Sequence, residues 1–212
     1  MNRDEYFALW SALHGDAKIV GVVRYWLISA FALGKVLKKL HITANHLTAF
    51  ALLLSLGVWV SARSPWSSLL LLLSLICDGL DGTLAMLNSR TSRRGAVIDS
   101  TADRLTEIFW YLAAYSVTHH VILLFIGWLG SSVQEYLRSR AAALGYVSGE
   151  RVSVNERPVR AIFLLIMLIA IHLSSHFTMP LLWLQATFAV IGSAQVGIFT
   201  YQMTRAKPRS PN

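Results

Sequence analysis

The sequence predicts an all-α integral membrane protein, with six transmembrane helices preceded by an N-terminal interfacial amphipathic helix. Three observations carry that expectation. The 212 residues are 55% hydrophobic and only 14% charged, with a mean hydropathy of +0.52, too apolar for an ordinary soluble domain of this length. The chain contains six apolar runs of roughly 20 residues, the length an α-helix needs to cross about 30 Å of hydrocarbon. Lysine and arginine fall mainly on one side of those runs.

The opening residues, Met1-Asn2-Arg3-Asp4-Glu5-Tyr6, lack the basic-then-apolar order of a secretory signal, so no cleavage is expected. Between Asp16 and Leu40 an apolar run from Tyr25 to Leu33 is preceded by Arg24 and followed by Lys35, Lys38 and Lys39. A run that short with a basic end suits a helix lying in the interface, although a seventh span remains the alternative. The six spans are expected at Thr43 to Ala62, Pro65 to Leu87, Gly95 to Thr118, His119 to Ala143, Pro158 to Ser174 and Pro180 to Thr204. No repeat or composition shift marks a second domain. The chain therefore reads as one membrane domain: a juxtamembrane segment 1–41, a six-helix bundle 42–204 and a basic tail 205–212.

Lys18, Arg24, Lys35, Lys38 and Lys39, the arginines at 90, 93 and 94, those from Arg138 to Arg160, and Arg205, Lys207 and Arg209 share one side. Arg63 stands nearly alone on the other. This asymmetry predicts a multi-pass cell-membrane protein with both termini, and the loops after the second and fourth spans, in the cytoplasm. The formal charge of +8 sits in short groups between apolar runs rather than along one soluble face, which argues against a nucleic-acid partner. Cys77 is the only cysteine, excluding an intramolecular disulfide or a thiolate metal cluster.

The second and third spans each carry two aspartates near their cytoplasmic ends, Asp78 with Asp81 and Asp99 with Asp103. Spacings of three and four place each pair on one helix face. An aspartate at the bilayer centre costs roughly 2.5 to 3.5 kcal/mol, less near the interface or when paired. Arg104 points away from Asp103 as its sequence neighbour, so it cannot neutralise all four. Divalent cations can: four carboxylates supply oxygen ligands and balance the charge of two Mg²⁺ ions, an arrangement that polarises phosphoryl groups.

The stretch from Asp78 through Asp81, Gly82, Ala85 and Gly95 to Asp99 and Asp103 resembles the signature of the CDP-alcohol phosphatidyltransferases, Asp-x2-Asp-Gly-x2-Ala-Arg-x8-Gly-x3-Asp-x3-Asp. Seven of the eight fixed positions match across 26 residues without a spacing error. Met86 stands where the family has arginine. Either Arg90, Arg93 or Arg94 takes over its charge, or the site handles substrate differently, or the protein is an impaired homologue. Upstream, Thr43-Ala44-Asn45-His46-Leu47-Thr48 is similar to the family's approach to its first span. Thr43 or Asn45 can cap that helix, Asn45 being the better candidate for the cap. Downstream, Tyr136-Leu137-Arg138-Ser139-Arg140 and Glu156-Arg157-Pro158-Val159-Arg160 look like elements of the phosphatidylinositol-phosphate synthase branch.

The resemblance implies transfer of a phosphatidyl group from a CDP-diacylglycerol-type lipid to a small alcohol, with CMP released and Mg²⁺ as cofactor, two ions per site, or Mn²⁺. Asp78, Asp81, Asp99 and Asp103 are then metal ligands, and Asp103 also the base that takes the hydroxyl proton. Thr43, Gly82, Ala85, Arg90, Arg94 and Gly95 are the candidate CDP-lipid contacts. Gly82 and Ala85 are also residue types that ordinary membrane helix packing uses. Arg138, Arg140, Arg157 and Arg160 are the candidate acceptor contacts, and so many guanidiniums favour a phosphorylated alcohol, inositol phosphate first and glycerol phosphate second. The same arginines also fit positive-inside flanks. A homodimer is common in the family, and the sequence neither supports nor excludes it. A divalent-cation transporter is the rival from another class, since intramembrane acids also line ion pathways. His172 and His176, four apart but without an accompanying acid, read as interfacial.

Overall fold

The computed structural model describes residues 1–89, 92–146, 152–173 and 175–205. Among them the regular structure is helical, with no strand: α1 (Arg3–Leu13), α2 (Gly21–Lys39), α3 (Ala44–Val60), α4 (Trp66–Leu87), α5 (Arg93–Thr118), α6 (Val121–Ala143), α7 (Arg157–Leu173) and α8 (Thr178–Arg205), with a 3₁₀ turn at Ser175–Phe177 before α8. Helices α3 to α8 coincide with the six expected spans to within a few residues. By length and composition, α4 and α8 can each cross a membrane, and α2 with α3 would make a third crossing bent by 108° at its break. The other helices are less clear on this measure for identifiable reasons. Helix α7 has only 17 residues, at the lower limit for a crossing, and α5 carries Asp99, Asp103, Arg104 and Glu107 inside its length.

The N-terminal segment differs from expectation in holding two helices. Helix α1 starts at a capping box in which the Asn2 side chain accepts from the Glu5 N–H and the Glu5 carboxylate accepts from the Asn2 N–H. Two orphan donors are satisfied at once. The chain then turns through Gly15 (φ 67°) and Asp16 (φ 59°). Helix α2 runs well beyond the expected Tyr25–Leu33 stretch at both ends.

Contacts divide the chain into two compact units, Met1–Ala113 and Ala114–Asn212. In the first, α4 packs against α2 and α3, and α1 docks on α2 and α4. Tyr6 of α1 is fully buried among Leu27, Phe31, Met86 and Leu87, and its hydroxyl pairs with the Thr83 hydroxyl at 2.9 Å. Burial pushes the phenol above its ordinary pKa, and the Thr83 bond pulls partly back. A second cluster of Ala30, Leu47, Leu80 and Leu84 joins α2, α3 and α4. Polar ties lie within the apolar packing: Ser55 and Ser74 share a 2.6 Å bond, and the Trp110 indole N–H donates to Ser55 at 3.0 Å. These bonds satisfy the Ser55, Ser74 and Trp110 polar groups where water is excluded.

In the second unit α6 packs along α8, and α7 packs on α8. Gly130 permits the close approach of α6 and α8, because a Cβ there would stand 2.8 Å from the Ala189 carbonyl oxygen. The Ser193 hydroxyl donates to the Gly130 carbonyl at 2.8 Å across the same contact. Small residues letting helix backbones meet is a usual means of association in lipid.

Candidate active site

Helix α4 presents Asp78 and Asp81, and α5 presents Asp99 and Asp103. The structure brings three of these together: carboxylate oxygens of Asp78, Asp99 and Asp103, each half-buried, lie within 4.8 Å of one another. Two oxygens on opposite sides of an octahedral Mg²⁺ stand about 4.2 Å apart, so small side-chain shifts suffice for the three to share a divalent cation. Among the described residues this is the only group of three or more His, Cys, Asp or Glu side chains that close. The fourth aspartate, Asp81, is 5% exposed and accepts a 2.7 Å bond from the Thr48 hydroxyl of α3. It lies outside the trio, tied to α3.

Helix α4 is held in position by α2 and α1. Gly79, between the two aspartates, faces Trp26 of α2 so closely that a Cβ would lie 2.6 Å from the ring. Gly34 of α2 faces Thr83 and Leu87 in the same way. Lys38 donates to the Leu87 carbonyl at the C-terminal end of α4, where an orphan carbonyl and the helix dipole both favour a cation.

A cavity of about 770 Å³ opens beside the aspartates, between the start of α3, the second half of α4, the first turns of α5 and the end of α1. Its wall includes Asp81 and Asp99, and five of the six residues expected to meet CDP-lipid: Thr43, Gly82, Ala85, Arg94 and Gly95. The sixth, Arg90, lies outside the described residues. A Cβ built on Gly82 meets nothing within 4 Å. Helix packing therefore does not require that glycine, whereas an open cavity floor does.

Two details differ from the sequence reading. Thr43, not Asn45, is the N-cap of α3, accepting from the His46 N–H, and Asn45 instead lines the cavity. Thr43 is thus both a cap and a wall residue. Met86, where the motif has arginine, is 5% exposed and packs with Tyr6, Leu27, Phe31 and Leu87. Apolar packing with α1 and α2 occupies the position.

The second unit holds the arginines expected to bind the acceptor. Arg138 forms a two-pronged ion pair with Glu156. Arg160 is fully buried, donating to the Asn155 carbonyl at 2.7 Å and to Glu135 at 3.2 Å. A buried guanidinium needs such partners, and these join the 152–156 segment and α7 to α6. Arg140 is exposed at the end of α6, and Arg157 is half-buried at the start of α7. Arg138 and Arg160 are thus engaged by carboxylates of the protein itself, a role that neither acceptor binding nor positive-inside topology had indicated.

Glu107 escaped the sequence reading. It is 1% exposed and takes the Arg104 guanidinium at 2.6 Å. Its place four residues after Asp103, on the same helix stripe, was the available signal. Arg104 thus pairs along α5 with Glu107. The His172 ring bonds the Leu168 carbonyl within its own helix, in keeping with a structural role.

Residues 41–191 match the sequence profile of the CDP-alcohol phosphatidyltransferases. The chain is similar to the archaetidylinositol phosphate synthase of Aeropyrum pernix, 30% identical over 114 residues, covering 54% of this chain and 58% of that protein. It is also similar to the phosphatidylinositol phosphate synthase of Corynebacterium glutamicum, 29% identical over 144 residues, covering 62% and 65% respectively. The matches thus span less than two thirds of the length of these relatives. In fold it resembles the phosphatidylinositol phosphate synthase of Mycobacterium tuberculosis solved with CDP-DAG bound, at a TM-score of 0.67 and 22% identity over 81% of this chain and 93% of that one. The same enzyme in complex with manganese and citrate aligns at 0.65, with 22% identity over 81% and 88%.

Proposed function

The chain belongs to the CDP-alcohol phosphatidyltransferase family, and from that membership we propose that it transfers a phosphatidyl group from a CDP-diacylglycerol-type lipid to a small phosphorylated alcohol. Inositol phosphate is the first acceptor, supported by relatives that are inositol phosphate lipid synthases, and glycerol phosphate the second. The observation that carries the reading is the carboxylate trio of Asp78, Asp99 and Asp103 beside a cavity walled by Gly82, Ala85 and Arg94.

Asp78, Asp99 and Asp103 would hold the divalent cation, Mg²⁺ or Mn²⁺, with Asp81 as the fourth carboxylate available to a second ion. Bound there, such ions supply Lewis-acid polarisation of the diphosphate. Thr48 orients the Asp81 carboxylate through its 2.7 Å bond. Gly82 and Ala85 leave the cavity floor flat for the nucleoside, and Arg94 offers a guanidinium to the diphosphate. The acceptor hydroxyl oxygen attacks the phosphorus that carries the lipid. A new P–O bond forms there, the bond to the bridging oxygen breaks, and CMP leaves with that oxygen. Asp103 takes the hydroxyl proton.

Helices α3 to α8 cross the bilayer as six spans, α1 and α2 lie at the interface, and both termini and the cavity face the cytoplasm. Arg140 and Arg157 are the acceptor-phosphate contacts that the family-like elements of the sequence suggest, and Arg138 and Arg160 hold the 152–156 segment and α7 to α6. Radiolabelled CDP-diacylglycerol offered to the purified protein with Mg²⁺ and, separately, inositol phosphate, glycerol phosphate, serine and free inositol tests the proposal. Labelled phosphatidylinositol phosphate with stoichiometric CMP is the expected result. Preference for serine or free inositol overturns the acceptor assignment, and absence of transfer to any alcohol overturns the reaction.

A further inference from the structure

Helix α1 lies upstream of the family motif, yet its last residue Leu13 and its cap His14 form part of the cavity wall. Resting on the transferase reading, we infer that His14 is a nucleoside-recognition residue, accepting a hydrogen bond at Nε2 from the cytidine of the CDP-lipid.

The argument begins with the anchoring of α1. Tyr6 is fully buried against α2 and α4, and its hydroxyl meets Thr83, the residue after Gly82. Trp10, one turn on, packs against the same cluster. The His14 ring lies on the Trp10 indole, centroids 4.0 Å apart and planes 18° from parallel. His14 Nδ1 stands 2.7 Å from the Trp10 carbonyl oxygen. A carbonyl only accepts, so Nδ1 carries the proton there and Nε2 of the neutral ring is left as an acceptor. The following turn is fixed by the Asp16 N–H on the Ser11 carbonyl at 2.9 Å and the Ser11 hydroxyl on the Ala17 carbonyl at 3.0 Å. The ring is thus held in both position and orientation, though exposed.

Helix register identifies the part of the substrate that it meets. The cluster under Trp10 includes Met86, which at 1.5 Å per residue lies about 7.5 Å beyond Asp81 and about 12 Å beyond Asp78 along α4. Helix α1 therefore meets the cavity at the end away from the carboxylates. With the diphosphate at the aspartates, the ribose and base extend along Gly82 and Ala85 toward that end. A cytosine amino group and the ribose hydroxyls are hydrogen-bond donors suited to an acceptor nitrogen. A phosphate oxygen is not.

The test measures binding of CDP, UDP and inorganic pyrophosphate to the full-length protein in detergent with Mg²⁺, comparing wild type with His14→Ala. His14 is exposed, so the variant should retain the wild-type melting temperature. Loss of one neutral hydrogen bond predicts a Kd for CDP raised roughly threefold to tenfold, with pyrophosphate unchanged. An equal loss for UDP assigns the bond to the ribose, and a loss confined to CDP assigns it to the cytosine amino group. An unchanged Kd for CDP, or an equal loss for pyrophosphate, overturns the role of His14. If the wild-type protein binds CDP no more tightly than pyrophosphate, the CDP-lipid reading itself fails, whatever the variant does.

Discussion

Replacing Gly82 by alanine should move stability and substrate affinity in opposite directions. Glycine within a helix costs about 0.5 to 1 kcal/mol relative to alanine, and the new Cβ would meet no atom within 4 Å. Nothing opposes the gain, so the melting temperature of the detergent-solubilised protein should rise or hold. The methyl group, however, enters the cavity where a nucleoside would lie against the helix. Overpacking a close contact costs about 1 to 3 kcal/mol, which at 1.4 kcal/mol per decade raises the Kd for CDP roughly five- to a hundredfold. Gly79→Ala is the internal contrast. Its Cβ would lie 2.6 Å from Trp26, about 1 Å inside ordinary carbon contact, so that variant should lose stability as well. Thermal unfolding together with CDP titration separates the two. An unchanged affinity for CDP in Gly82→Ala refutes the cavity-floor role, and a lowered melting temperature shows that the glycine serves packing after all.

Asp78→Asn, Asp99→Asn and Asp103→Asn should each abolish most transfer while the protein still folds. A variant retaining more than about a tenth of turnover, under 1.4 kcal/mol of barrier, removes that residue from the essential ligands. Met86→Arg restores the motif but places a guanidinium among Tyr6, Leu27, Phe31 and Leu87. It should cost on the order of 3 kcal/mol of stability if the charge stays buried, read as a lower melting temperature, and a large gain in activity would contradict this packing argument. Gly192→Ala puts a Cβ 2.5 Å from that of Asn155 and 2.9 Å from Gln134 Oε1. It should cost about 1 to 3 kcal/mol and expose the 152–156 segment to protease, whereas wild-type resistance would show that the segment can yield. Arg140→Ala should raise the acceptor KM at unchanged stability, while Arg160→Ala should destabilise the fold, as paired melting curves and acceptor titrations will show.

How much was legible in the sequence depended on whether the signal was local. Helices α3 to α8 were legible as helices because each contains a run rich in apolar residues, although α5 also carries Asp99, Asp103, Arg104 and Glu107. The aspartates were legible because acids in such runs are costly and their spacing sets a shared face. Helix α1 was not read, although Asn2 and Glu5 form a capping box three residues apart, because so short a helix has little apolar periodicity. Its contribution to the cavity wall could not have been read at all, since it depends on Tyr6 meeting Thr83, 77 residues away. The roles of Arg138 and Arg160 were hidden for the same reason. Sequence showed cations at helix ends but not that Glu156 and Glu135 had claimed them.

Met86 shows how such a distant contact can change the meaning of a motif position. Read alone, the motif suggests a lost charge that some neighbouring arginine must replace. In the fold, the same side chain supports α1 together with Leu27, Phe31 and Leu87, and Trp10 packs on that cluster beneath the His14 ring. Met86 also borders the cavity, so a guanidinium here would have to leave the cluster to find a partner, because the only polar group among the cluster's buried side chains, the Tyr6 hydroxyl, is already bonded to Thr83. Substituting an apolar residue therefore permits α1 to pack against α4, and α1 in turn brings Leu13 and His14 to the cavity. On this argument, the side chain at position 86 serves the packing of α1, whose Leu13 and His14 line the cavity, while Arg94, also on the cavity wall, is the guanidinium among the described residues left to meet a phosphate.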